Sequence, residues 1–99
     1  MTQSLLNKVN FIKDLSKVIT TYKSGIEKLE YQVFKHKNGY HQEYLVVTYD
    51  GGAIGVRHCI GNSITAIFEE VSKLLDGGYY SEVRDLREFE NDPTWIKLN

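Results

Sequence analysis

Asn38-Gly39 lies between two runs whose apolar residues recur at every second position, and this constrains the chain more than any other feature. Both residues tolerate positive φ, so the pair predicts a tight hairpin. Before it, in "KLEYQVFKHK", Leu29, Tyr31 and Val33 alternate with Glu30, Gln32 and Phe34. After it, "YHQEYLVVTY" reads as the return strand. "DGG" at 50–52 supplies a second tight turn, and "AIGVRHCI" a third strand. Leu45-Val46-Val47 is apolar at consecutive positions, so both faces of a central strand would be covered.

The flanking segments change period. Over 4–23, Leu5, Val9, Ile12, Leu15, Ile19 and Tyr22 recur at steps of three and four, which predicts a helix with Ser4 as N-cap and "KSG" as its stop. Lys8, Lys13, Asp14 and Lys17 fall mostly outside that stripe. "GNSITAIFEEVSKLLDGG" predicts a second helix capped by Asn62 or Ser63 and ended by Gly77. Its stripe is Ile64, Ile67, Phe68, Val71, Leu74 and Leu75. A third helix would start at Ser81, carry Val83, Leu86 and Phe89 on a narrow apolar edge, and stop at Pro93. Trp95, Ile96 and Leu98 then form a tail that docks. The expectation is one α+β domain over 1–99: a three-stranded antiparallel β-meander packed by helices, in the order α-β-β-β-α-α.

Charge is distributed unevenly. Residues 1–37 carry seven Lys against three acidic residues, a net of +4, whereas residues 38–99 carry five Lys/Arg against ten acidic residues, a net of −5. A nucleic-acid binder is normally net basic, so this pattern argues for something else. The single cysteine, Cys59, excludes an internal disulfide and fits a reducing cytoplasm. It reads as a half-buried strand residue. No signal peptide and no run long enough for a membrane span is visible.

Sites for chemistry are not evident. His36, His41 and His58 lack ligand spacing, so no metal and no cofactor is expected. No nucleophile elbow, phosphate loop or acid/base pair can be argued from spacing, so no catalytic residue is assigned. The α-β-β-β-α order is also that of a double-stranded-RNA-binding domain, which leaves a nucleic-acid-binding module as the alternative. Such domains place lysines at the start of the second helix, where this chain has "GNSITAIFEE". Lys35, His36 and Lys37 of the first hairpin, with the lysines of the first helix, are the remaining phosphate-binding candidates.

The acidic end is more suggestive. Glu82, Asp85, Glu88, Glu90 and Asp92 follow Tyr79-Tyr80. One reading is a solvated face of a packing helix. The other is mimicry of DNA, with carboxylates at helical spacing replacing phosphates for a partner lined with Arg and Lys.

On Gly78, Tyr79, Glu82, Asp85, Glu88-Phe89, Asn91-Asp92, Ile96 and Leu98, the C-terminal part resembles small prophage-encoded type II-A anti-CRISPR proteins. "NSI" at 62–64, the apolar run 45–47 and "DG" at 50–51 match as well. The resemblance covers about the last 55 residues and extends to the order of elements. It implies a phage or mobile-element protein that binds the host CRISPR effector nuclease, as its guide-RNA complex, over the surface that reads the PAM. By position it implies Tyr80, Ser81, Glu82, Asp85 and Glu88 as partner-binding residues, with Asp50, Gly51 and Gly52 as a second contact. A monomer acting in the host bacterial cytoplasm, with no direct nucleic-acid or membrane contact, is the corresponding expectation. This chain differs in interleaving Val83, Arg84, Leu86 and Arg87 among the carboxylates, which leaves another host defence complex as an alternative target.

Overall fold

A computed structural model describes residues 1–76 and 83–99, and the side chains of all of these except 83–85. The elements are α1 (Gln3–Tyr22), β1 (Ile26–His36), β2 (His41–Tyr49), β3 (Ile54–His58), α2 (Ile64–Leu75), α3 (Val83–Asn91) and β4 (Trp95–Lys97). The chain is α+β, with one antiparallel sheet in the order β3-β2-β1-β4. The three-strand expectation is therefore corrected. The docking tail is a fourth strand, with Trp95, Ile96 and Lys97 opposite His36, Lys35 and Phe34.

The hairpin forms where Asn38-Gly39 predicts it, by a different route. His36 N donates to Tyr40 O (2.7 Å) and Gly39 N to His36 O (2.8 Å). Only Gly39 takes positive φ (95°). Asn38 does not, so the loop is a three-residue turn closed by a left-handed glycine and not a two-residue one.

Period two in β1 and β2 sorts their side chains onto two faces. Leu29, Tyr31, Val33, Leu45 and Val47 join Leu5 and Ile12 of α1 and Ile67, Val71 and Leu74 of α2 in the larger core. Phe34, Tyr44, Val46 and Val56 face the other way and are covered by Leu86 and Phe89 of α3 together with Trp95. Leu45, Val46 and Val47 are all buried, as expected for a central strand covered on both sides.

Helix starts differ slightly from expectation. Thr2, not Ser4, caps α1 by accepting from Leu5 N (3.2 Å), and Ser63 caps α2 by accepting from Ala66 N (3.2 Å). Of the six stripe residues in α2, Ile67, Val71 and Leu74 are buried, whereas Ile64 and Phe68 are exposed. Three full burials contribute roughly 5–9 kcal/mol of gross transfer energy at about 1.5–3 kcal/mol each. The end of α2 at Gly77 and the N-cap at Ser81 lie outside the described residues.

Lys8 departs from its expected exposure. It occupies the face shared by Leu5 and Ile12, is 9% exposed, and pairs with Glu43 of β2 (Nζ to Oε1, 3.2 Å). The Tyr31 hydroxyl donates to the same carboxylate oxygen (2.7 Å). Cys59 lies just past β3 and is fully buried, beyond the half-burial expected.

Candidate functional site

The turn that follows β2 is built from Asp50, Gly51 and Gly52. Gly51 and Gly52 both take positive φ (92° and 94°), which only glycine adopts freely in succession. Three main-chain bonds hold the loop: Tyr49 N to Ala53 O (2.8 Å), Gly52 N to Tyr49 O (3.0 Å) and Asp50 N to Gly25 O (3.0 Å). The last ties it to the α1–β1 connection. All three turn residues are exposed.

The end of α2 is fastened to the same place. Tyr49 Oη donates to Leu74 O (2.7 Å). Gly55 allows the approach, since a Cβ there would lie 3.3 Å from Leu74 Cδ2 and 3.0 Å from Val47 Cγ1. Asp76 caps this end of α2 and is exposed.

The path of α3 follows from its C-terminal side. Asp92 accepts from Thr94 N (2.9 Å) and Thr94 Oγ1 (2.7 Å), and Lys37 N donates to Thr94 O (3.0 Å). Trp95 then pairs with His36. The C-terminus of α3 is thereby fixed at the hairpin end of the sheet. Phe89 confirms this orientation, with its ring 4.5 Å from Trp95 and 5.7 Å from both Phe34 and Tyr44. The helix packs against both edge strands, β3 and β4, and so runs across the sheet.

Glu88 and Arg87 are both exposed and stand about 100° apart on the outward half of α3. At about 100° per residue from buried Leu86, Arg87 falls about 100° to one side and Glu88 about 160° to the other. Asp85 belongs to α3, but its side chain lies outside the described residues, as do Tyr80, Ser81 and Glu82 altogether. Asp92 is committed to its turn. The hydrogen bond from the Thr94 hydroxyl, then that from the Thr94 main chain, hold its carboxyl below the usual range.

Electrostatics elsewhere serve the framework. Glu70 is pushed up by burial, but bonds from Arg57 (2.8 Å) and Lys73 (3.3 Å) outweigh this and leave it below the ordinary carboxylate value. Among the described residues, no group of three or more His, Cys, Asp or Glu is placed to hold a metal ion. His58 instead meets Gln42 (2.6 Å), and His36 Nδ1 accepts from Asn38 N (3.1 Å). No helix among the described residues is long and apolar enough to cross a membrane.

No family model, curated protein or solved structure matches the chain.

The Asp50–Gly52 turn was legible in the sequence. Glu88 lies along α3, about 7.5 Å from its first residue at 1.5 Å per residue. Sequence reasoning missed that the end of α2 is fastened to the end of β2, because the Tyr49–Leu74 bond joins residues 25 positions apart.

Proposed function

We propose that this chain is a non-enzymatic phage or mobile-element protein that inhibits a host CRISPR RNA-guided DNA nuclease. It would act in the bacterial cytoplasm as a monomer, on the nuclease bound to its guide RNA, by occupying the DNA- and PAM-reading surface. Asp85 and Glu88 would meet arginines that otherwise bind PAM guanines. Glu82 would join them by its sequence position, with Tyr80 and Ser81 alongside, and Asp50-Gly51-Gly52 would be the second contact.

One observation carries the reading. Carboxylates stand exposed in the Asp50–Gly52 turn, at Asp76 and at Glu88 of α3. Plasmid cleavage by a panel of guide-loaded nucleases, with and without the protein, tests this directly. At least one nuclease should be inhibited, less so at high salt. The double variant Asp85→Lys, Glu88→Lys should fold and lose inhibition. Full inhibition by that variant would remove the mimicry assignment.

The alternative reading is a nucleic-acid-binding module. It is supported by the hairpin end, where Lys35, Lys37 and Tyr40 are all exposed, Tyr40 at 69%. α1 and α2 also pack on the same face of the sheet, as the αβββα comparison requires. A mobility-shift assay on duplex RNA and DNA separates the two, since a mimic should shift neither.

A further inference from the structure

The outer edge of β1 carries a site at the opposite side of the sheet from β3. β4 covers this edge only along Phe34–His36. Beyond it, Asn99 takes over, accepting from Val33 N with Oδ1 (2.9 Å) and donating to Tyr31 O with Nδ2. Further along, Ser16 of α1 accepts from Leu29 N (2.9 Å). Between these two plugs lies a cleft of about 440 Å³ whose lining includes Val9, Lys13, Ser16, Lys17, Lys28 and the carboxylate of Glu30.

The plugs decide what can bind. A partner strand cannot run along this edge, because Ser16 and Asn99 already hold the main-chain groups on either side of the gap. The occupant must therefore be small. A cleft of this size lies within the range of small-molecule sites.

Its chemistry is that of an anion receptor with greasy walls. Lys13 and Lys17 are exposed and have no carboxylate partner among the described residues. Lys28 must share Glu30 with Lys97, at 3.3 and 3.2 Å. Ser16 receives a bond from Leu29 N, which leaves its own hydroxyl proton to donate. The strand parity that points Val33 N at Asn99 also points Tyr31 N at the cleft. The donors thus outnumber the one carboxylate of the lining, Glu30, which Lys28 and Lys97 already neutralise, while Val9 and the lysine stems supply apolar wall.

We infer that this cleft binds a small amphipathic carboxylate: an oxyanion held by Lys13, Lys17 and Ser16, with an apolar body against Val9 and the lysine stems. The site is independent of the acidic end, so it stands whether or not the protein inhibits a nuclease.

Decanoate, kept below its micelle concentration, is the probe. A titration of the ¹⁵N-labelled full chain should give saturable shifts centred on the Leu29 and Tyr31 amides. Acetate, which has the charge alone, and decanol, which has the body alone, should each bind at least tenfold more weakly. Lys13→Glu with Lys17→Glu should abolish the saturable shifts with an unchanged melting temperature. If that variant melts early, Lys17→Gln alone should still weaken decanoate severalfold. Absence of saturation, equal response to decanol, or binding unaffected by the lysine changes would each overturn the assignment.

Discussion

Lys8 Nζ lies 3.2 Å from Glu43 Oε1, and both side chains are about nine-tenths buried. This pair joins the first helix to the central strand across the main core. Removing one partner strands the other charge away from water. Lys8→Ala should therefore destabilise the fold by about 3–5 kcal/mol in urea unfolding. Lys8→Met combined with Glu43→Gln should cost less than Lys8→Ala alone, because the neutral amide still accepts from Tyr31. A double variant worse than the single one would contradict the pairing.

Gly55 faces α2, where a methyl group would be crowded and its neighbours would have to shift. Its added Cβ would meet Val47 Cγ1 at 3.0 Å, Tyr49 Oη at 3.2 Å and Leu74 Cδ2 at 3.3 Å. Gly55→Ala should cost about 1–3 kcal/mol by overpacking, read as a lower urea midpoint at constant slope.

Tyr49→Phe removes the hydroxyl that fixes Leu74 O at 2.7 Å. The cost should be about 1 kcal/mol. If the turn and the end of α2 bind as one unit, inhibition in the cleavage assay should fall more than the small loss of stability explains. A change in stability with inhibition untouched would separate the turn from the binding surface.

Stability should decline at both ends of the pH scale. Burial pushes the Cys59 thiol up to about 11 and moves the Tyr31 hydroxyl upward as well, so both are held neutral in the folded chain. The thiol's contribution is complete below its unfolded value of about 9 and is lost as pH rises from there through 11, whereas that of the Tyr31 hydroxyl starts to fall only above about 10. Glu30 and Glu70 move the other way. Burial raises each, but the lysines at Glu30 and the Arg57 and Lys73 bonds at Glu70 outweigh it. Their stabilisation is present above about pH 4.5 and fades as pH falls below it. Thermal melts from pH 3 to 11 check both limbs. Buried Cys59 should also react with a thiol reagent only as fast as the chain opens.

Most of the framework was readable because period two and period 3.6 leave different marks. The turn at Asp50–Gly52 carried its own glycine signature. β4 was not readable as a strand: three residues are too few to show a period, and their partners in β1 lie about sixty positions away. Lys8 was misread because a lysine was assigned to solvent, although its spacing from Leu5 and Ile12 put it on the inner face. Exposure of Ile64 and Phe68 could not be read from the α2 stripe, which is wider than the surface the sheet offers.

The bond from Val33 N to Asn99 Oδ1 spans 66 residues. Its consequence is one of timing during synthesis. A ribosome delivers α1 and the β1–β2–β3 meander well before β4, so the nascent sheet must wait with its outer strand half unpaired. An open edge of this kind recruits other chains. Ser16 on Leu29 N and the charges of Lys13, Lys17 and Lys28 are already in place at that stage, and they would deter a neighbouring nascent chain until residues 95–99 arrive to close the edge.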